Sequence, residues 1–293
     1  MKGKVVLFII RVFASLPLGV NRFMGGLLGR MILLFNTCEV KVTKENLLRC
    51  FPDKTVEERQ ELTRRSVLET AKLAFEIPWV WHASRSLLKE SIVHINGGDK
   101  VEASLAQQKG LIVLAPHLGN WEVVGRVLAD YGKLTSLYRP PKQAFLDTLI
   151  RKSREQDGAA LVPTTARGVA KLLSALKKGA ISGILPDQCP GGEGGGVLSE
   201  FFSHPARTIT LVHGLVQRTN CRVLMAYAER VSGGFVVNFV DANEGIYSED
   251  IEQGVLAMNA SIEECVLHIP EQYQWEYKRF KGTGSGDTRP YRF

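Results

Sequence analysis

The sequence predicts an α/β fold: a single largely parallel or mixed central sheet flanked by helices, with an N-terminal membrane-associating helical section. Three observations predict it. Short apolar runs of β character alternate with amphipathic segments through residues 91–268, the pattern of strands joined by crossover helices. Several of those runs end on a polar residue, as strands do where an open α/β sheet meets a ligand. The first 35 residues are strongly apolar and carry Lys2, Lys4, Arg11, Arg22 and Arg30, with no Asp or Glu.

The amino-terminal stretch "VVLFIIRVFASLPLGVNRFMGGLLGRMILLF" is too interrupted for a clean bilayer span, which needs about 20 apolar residues. Arg11, Pro17, Arg22 and Arg30 break it. An Arg at the bilayer centre costs roughly 2.5–3.5 kcal/mol against about 0.3–0.6 gained per Leu or Ile, so one Arg cancels around six good residues. No small-residue cleavage site follows the run. The expectation is two short helices broken near Pro17 to Gly19, lying in the cytoplasmic leaflet with Arg and Lys snorkelling to headgroups. The alternative is a pair of core helices in a soluble domain. Residues 1–36 are assigned to this section and 37–293 to the α/β domain.

Further along, residues 51–78 read as a helix opened by the capping box Thr55-Val-Glu-Glu58 and closed by "PWVWHAS". "SIVHI" reads as a strand, and "DKVEASLAQQKG" as a helix ended by Gly110. "LIVLA" is a buried strand and "NWEVVGRVLADYG" a helix. "LTSLYR" is a strand, followed by the helices "AFLDTLIRKSREQDG" and "ARGVAKLLSALKKG", the latter with Gly179 after a basic last turn. "ISGILPD" is a strand. After a glycine-rich loop, "TITLVHGLVQRT" reads as helical, "CRVLMAYAER" and "GFVVNFV" as strands, and Asp250 to His268 as the last helix.

Composition narrows the function. The 293 residues are 45% hydrophobic with a net charge of +7. A basic excess suits an anionic membrane surface, nucleic acid, or a phosphorylated partner. No nucleic-acid module is present, so nucleic acid is not an expected partner. The five cysteines form no CxxC pair, and their odd number rules out a full disulfide framework within one chain, so reduced thiols are expected. The six histidines make no paired ligand spacing, and neither a metal nor another cofactor is expected.

The chemistry centres on "LIVLAPHLGNWE", residues 111–122. Five steps along a helix turn about 140°, so His117 and Glu122 do not share a helical face. They meet only if His117 lies in the turn before the helix and Glu122 in its first turns. Glu122 would then fix one imidazole nitrogen and leave the other as a general base. The plainer reading is a His capping a helix whose positive end favours Glu122. There is no G-x-S-x-G elbow and no Walker A motif, so no enzyme nucleophile is evident. A base without a nucleophile activates one brought by the substrate, such as a hydroxyl.

"HLGNWE" matches the HX4(D/E) box of glycerolipid-type acyltransferases, and the chain most resembles the bacterial lipid A late (secondary) acyltransferases, of lauroyl and myristoyl transferase type. "NLLRCFPD" at 46–53, "YRPPK" at 138–142, "ILPDQ" at 184–188, "FF" at 201–202 and "PEQYQWEYKRFK" at 270–281 continue the likeness in order, nearly end to end. Two departures stand out: the glycine-heavy "CPGGEGGGVLSE", and Ser203-His204 where a Gly is expected after "FF". The resemblance implies transfer of a fatty acyl chain from acyl carrier protein to the hydroxyl of a 3-hydroxyacyl chain on a lipid A precursor, at the cytoplasmic face of the bacterial inner membrane. It casts His117 as the base and Glu122 as the acid that orients it, with no covalent acyl-enzyme.

Other residues are weighed in that light. Arg139 and Lys142, in a loop stiffened by two prolines, suit a phosphate of lipid A or of the carrier's phosphopantetheine; the alternative is a solvated basic loop. Arg154 matches a basic position of the family pattern. Asp187 would pair Arg139 or Arg154, or hold a substrate group. "GGEGGG" at 191–196 lacks the Lys-Ser/Thr of a phosphate loop and reads as a flap or linker. His204 and His213 read as packing or surface residues, and Arg207, near a helix start, hints weakly at an anionic partner. Rival functions are acyl transfer from acyl-CoA to a glycerophospholipid or a mannosylated inositol lipid, a non-catalytic membrane lipid-binding protein, and a thioesterase.

Overall fold

A computed structural model describes residues 2–141, 143–190, 195–283, 290, 291 and 293. Helices come first: α1 (Lys2–Ser15), α2 (Leu18–Leu34), α3 (Cys38–Cys50), the long α4 (Val56–His82) and short α5 (Arg85–Glu90). Strands and helices then alternate: β1 (Ile92–Asn96), α6 (Gly98–Ala106), β2 (Leu111–Leu114), α7 (Trp121–Tyr131), β3 (Thr135–Tyr138), α8 (Ala144–Glu155), β4 (Ala160–Pro163), α9 (Ala166–Leu176) and β5 (Ile181–Ile184). The hairpin β6 (Gly196–Phe201) and β7 (His204–Ile209) precedes α10 (Leu211–Thr219), β8 (Arg222–Val231), β9 (Gly234–Asp241) and α11 (Ile251–His268).

The central sheet has the order β1-β9-β8-β2-β5 and is mixed. All its neighbours are parallel except β8 and β9, which form an antiparallel pair. Strand β2 is buried along its whole length, as a central strand covered on both faces must be. Its alternate side chains serve two cores. Ile112 and Leu114 pack with Leu172, Leu215 and Ile262, while Leu111 and Val113 pack with Val101, Val123 and Val127.

Several elements differ from the sequence expectation for identifiable reasons. Helix α4 starts on the expected capping box: Thr55 Oγ1 accepts from Glu58 N at 3.2 Å, and Glu58 Oε2 accepts from Thr55 N at 2.7 Å. It does not stop at Pro78 but runs on to His82, because Trp79 and Val80 are buried in the core and offset the lost hydrogen bond. "LTSLY" is a strand, but β3 pairs with the unanticipated β4 in a separate two-stranded parallel sheet. Thr208 and Ile209 belong to β7 rather than to a helix, and Arg207, opposite Leu198, stands in that hairpin and not at a helix start. Phe202 and Ser203 form its turn at φ 48° and 59°. Two consecutive left-handed residues make a mirror-type hairpin turn, which explains why a Gly is expected after "FF". Most of "GGEGGG" (191–194) lies outside the described residues.

The amino-terminal helices pack on α4. Asn21, Gly25 and Gly29 of α2 are buried at i, i+4 and i+8, and a Cβ on Gly25 would stand 2.5 Å from the Lys72 Cα, so small residues permit close helix contact. Asn21 Nδ2 donates to Phe13 O at 2.8 Å, bracing the break between α1 and α2. Arg22 does not snorkel outward. It reaches the fully buried Glu76 at 2.6 Å and donates to the carbonyls of Val231 and Gly234. Glu76 also takes two hydrogen bonds from Arg230 of β8 and one from Asn120. One carboxylate thus ties α2, α4, β8 and the turn before α7 together.

Burial alone would push Glu76 up, but Arg230 and Arg22 hold it below the ordinary carboxylate value. A carboxylate depressed in the fold contributes stability that is present above its unfolded pKa, about 4, and lost as pH falls through the lower folded value. Glu76→Gln is therefore expected to cost about 3–5 kcal/mol at pH 7, since Arg22 loses its carboxylate partner and the buried Arg230 keeps only Glu69. The variant's unfolding free energy should also fall less steeply than wild type below pH 4; urea unfolding at pH 7, 5 and 3 measures both.

Candidate active site

Strand register builds the site. β2 and β5 are parallel neighbours with Leu114 opposite Ile184, and Ala115 N donates to Ile184 O at 2.9 Å. His117 and Asp187 lie equally far beyond that last pair, each directly after a proline, so the two side chains converge at the carboxyl end of the sheet. The Asp187 carboxylate meets His117 twice. Oδ2 accepts from the backbone N–H at 2.9 Å, and Oδ1 stands 2.8 Å from Nδ1. With Nδ1 donating to the carboxylate, neutral His117 presents a lone pair at Nε2. That nitrogen lies 3.1 Å from Nε2 of Gln188, whose amide is placed to donate into it.

The loop carrying His117 is pinned on other sides too. Gln274 N donates to His117 O at 3.0 Å, and the imidazole stands edge-on to Trp121 with ring centroids 4.5 Å apart. Gly119 adopts φ +60°, and a Cβ there would lie 2.0 Å from Ala228 O. Its N–H donates to Gln272 O, and Asn120 N donates to Ala228 O at 2.8 Å. The tail "PEQYQWEYKRFK" therefore closes over the histidine loop.

Asp187 is buried. Burial raises its pKa, but His117 outweighs this and holds it below the ordinary value. Burial and the neighbouring Asp187 push the Tyr273 phenol well up, so it stays protonated beside the pair. Burial also raises Glu276, which takes a 3.2 Å hydrogen bond from Thr70 and lies within electrostatic reach of His117.

Trp121, which touches the imidazole, also lines a narrow cavity of about 80 Å³ between α7, β3, β4 and β5, with Val124, Leu128, Leu134, Leu137, Leu161 and Leu185 in its wall. Glu122 and Arg154 border it.

A sequence model of the bacterial lipid A biosynthesis acyltransferases matches residues 4–282, nearly the whole chain. The chain belongs to that family. It is an acyltransferase of lipid A biosynthesis. Among its relatives, the lipid A biosynthesis palmitoleoyltransferase of Escherichia coli (strain K12) is 26% identical over 97% of this chain and 92% of its own. The lipid A biosynthesis lauroyltransferase of the same organism is 23% identical over 95% of this chain and 90% of its own. A lipid A biosynthesis acyltransferase of Haemophilus influenzae is 26% identical over 92% and 84%, respectively.

In this acyltransferase the expected site residues are only partly assembled. His117 stands in the turn before α7, as its spacing suggests. The carboxylate on its Nδ1 is Asp187, not Glu122. Glu122 is held instead by Arg154, which donates to both its oxygens, Nε at 3.1 Å. Asp187, expected to pair Arg139 or Arg154 or to hold a substrate group, is paired with neither arginine but with His117. Arg154 also lies over the Tyr138 ring, 5.8 Å from its centroid. Arg139 is exposed and has no hydrogen bond or ion pair to the histidine pair, and Lys142 lies outside the described residues. Sequence reasoning passed over Gln188, Tyr273, Gln274 and Glu276, although each falls within a motif it quoted.

Gly119→Ala is expected to displace the loop by forcing the new methyl off Ala228 O. Acyl transfer should fall at least about 100-fold, the scale on which ångström misplacement acts, while circular dichroism shows the sheet still folded.

Proposed function

We propose that the chain transfers a fatty acyl group from acyl carrier protein to the hydroxyl of a 3-hydroxyacyl chain on a lipid A precursor, with His117 as general base and no covalent acyl-enzyme. The observation that carries this reading is the His117–Asp187 pair, which leaves Nε2 as an acceptor, on a ring that stands against Trp121, a residue lining the neighbouring apolar cavity. Nε2 takes the hydroxyl proton as the oxygen attacks the thioester carbonyl. The C–S bond breaks, and the departing thiolate recovers that proton from Nε2. Gln188 occupies the place where the hydroxyl must come, so its amide swings aside as the acceptor enters. Asp187 holds the imidazole tautomer and stabilises the imidazolium between the two proton transfers.

The Glu122–Arg154 pair has a different part in this scheme. It fixes α8 against α7 at the mouth of the apolar cavity, where the acyl chain would lie. At about 80 Å³ that cavity holds the liquid volume of only two or three waters, so a fatty chain parts its walls on entry. Arg139 and Lys142 remain the residues suited to a phosphate on acceptor or carrier.

We place the enzyme at the cytoplasmic face of the inner membrane, bound by α1 and α2. No single helix among the described residues is long and apolar enough to cross a membrane. Leu18–Leu34 and Cys38–Cys50 pass together on length and composition but are bent by 83°. The two amino-terminal helices expose Val5, Phe8, Ile9, Phe23, Met31 and Leu34, and clustered exposed apolar side chains of this kind suit a lipid or protein partner. They support docking in one leaflet.

His117→Ala is expected to lower acyl transfer about 10²- to 10⁴-fold, the usual worth of a positioned base, with vesicle binding unchanged. Lipid mass spectrometry reads the product, with acyl carrier protein and coenzyme A thioesters offered in parallel to a lipid A precursor and to a glycerophospholipid. Near-wild-type turnover by the variant removes the base, and a preference for coenzyme A or the glycerophospholipid removes the proposed substrates.

A further inference from the structure

We infer that a cleft between α1, the end of α4 and α8 binds the phosphate headgroup of an anionic membrane phospholipid. It rests on the reading that α1 lies against the bilayer. Two clefts of similar size make the case by contrast. One, about 700 Å³, lies between α2, α4 and the β8–β9 end of the sheet and holds five cations: Arg22, Arg64, Arg65, Lys72 and Arg230. Each has a carboxylate partner among Glu61, Glu69, Glu76 and Glu271. That cleft is internally neutralised and offers an anion little.

The other cleft, about 750 Å³, is built differently. Arg11 and Lys152 face it from opposite walls, no Asp or Glu lines it, and neither cation has an ion-pair or side-chain hydrogen-bond partner among the described residues. Its apolar walls are Leu7, Phe145 and Leu149. Trp81 Nε1 and Ser153 Oγ, buried in its lining, have no hydrogen-bond partner among the described residues. The outward face of α1 beside it exposes Phe8, Ile9 and Val12. Two cations without ion-pair partners above an apolar wall, one of them on the helix that meets the bilayer and the other on α8, complement a phosphodiester whose acyl chains continue into the leaflet.

The test is flotation of the full-length protein with vesicles of phosphatidylcholine alone or mixed with phosphatidylglycerol. Wild type should bind both, and more tightly where phosphatidylglycerol is present. The double variant Arg11→Gln/Lys152→Gln should lose roughly 10- to 30-fold on the mixed vesicles, at about 1 kcal/mol per cation, and little on the neutral ones. Arg11→Lys/Lys152→Arg should bind like wild type. Lys177→Gln/Lys178→Gln, which removes the same charge from the exposed end of α9, should change binding less than about threefold. Equal losses in both Gln pairs would overturn the cleft and leave helix docking standing. So would a raised KM for the lipid A precursor without a loss on phosphatidylglycerol, which would hand the cleft to the acceptor. Failure of wild type to bind either vesicle would overturn docking and cleft together.

Discussion

The geometry of the site depends on one carboxylate holding one histidine at two points. Asp187 accepts both the backbone N–H and the ring Nδ1–H of His117. The first contact fixes where the loop leaves β2; the second fixes which imidazole nitrogen carries the proton. Neither would form if β2 and β5 were not paired in register, because the two residues are 70 positions apart in the chain. An ionised carboxylate so deeply buried would be costly alone. The paired N–H groups and the adjacent imidazole make its charged form the favoured one.

A second buried carboxylate does for the scaffold what Asp187 does for the site. Glu76 collects Arg22 from the amino-terminal helices, Arg230 from the central sheet and Asn120 from the histidine loop. The apolar helices are thereby mechanically continuous with the turn that carries His117. The amino-terminal helices and the histidine loop thus share one polar centre. Gly25 and Gly29 let α2 lie close enough to α4 for Arg22 to reach it.

Much of this was legible in the sequence because it is local. The alternation of "LIVLA" and "NWEVV", the Thr55–Glu58 capping box and the break at Pro17 depend on neighbours a few residues away, and each appears where expected. The helical run past Pro78 was hidden because distant core packing of Trp79 and Val80 decides it. The partner of His117 was hidden for the same reason. Spacing along the chain nominated Glu122, but the initial turn of α7 sends that side chain towards Arg154 on α8. A signal was present: "LAPH" and "LPDQ" both close a buried strand with a proline followed by an ionisable residue. Reading it required knowing that β2 and β5 are adjacent.

The account stands on the Nδ1-protonated tautomer of His117 being set by Asp187. Nitrogen-15 NMR of the histidine side chains, on protein labelled only at histidine, reads that tautomer directly, with the His117 signals identified by their loss in His117→Ala. The prediction is a donor Nδ1 and an acceptor Nε2 at neutral pH, a pattern that collapses in Asp187→Asn and persists in Glu122→Gln. Retention of the tautomer in Asp187→Asn together with its loss in Glu122→Gln would contradict the account.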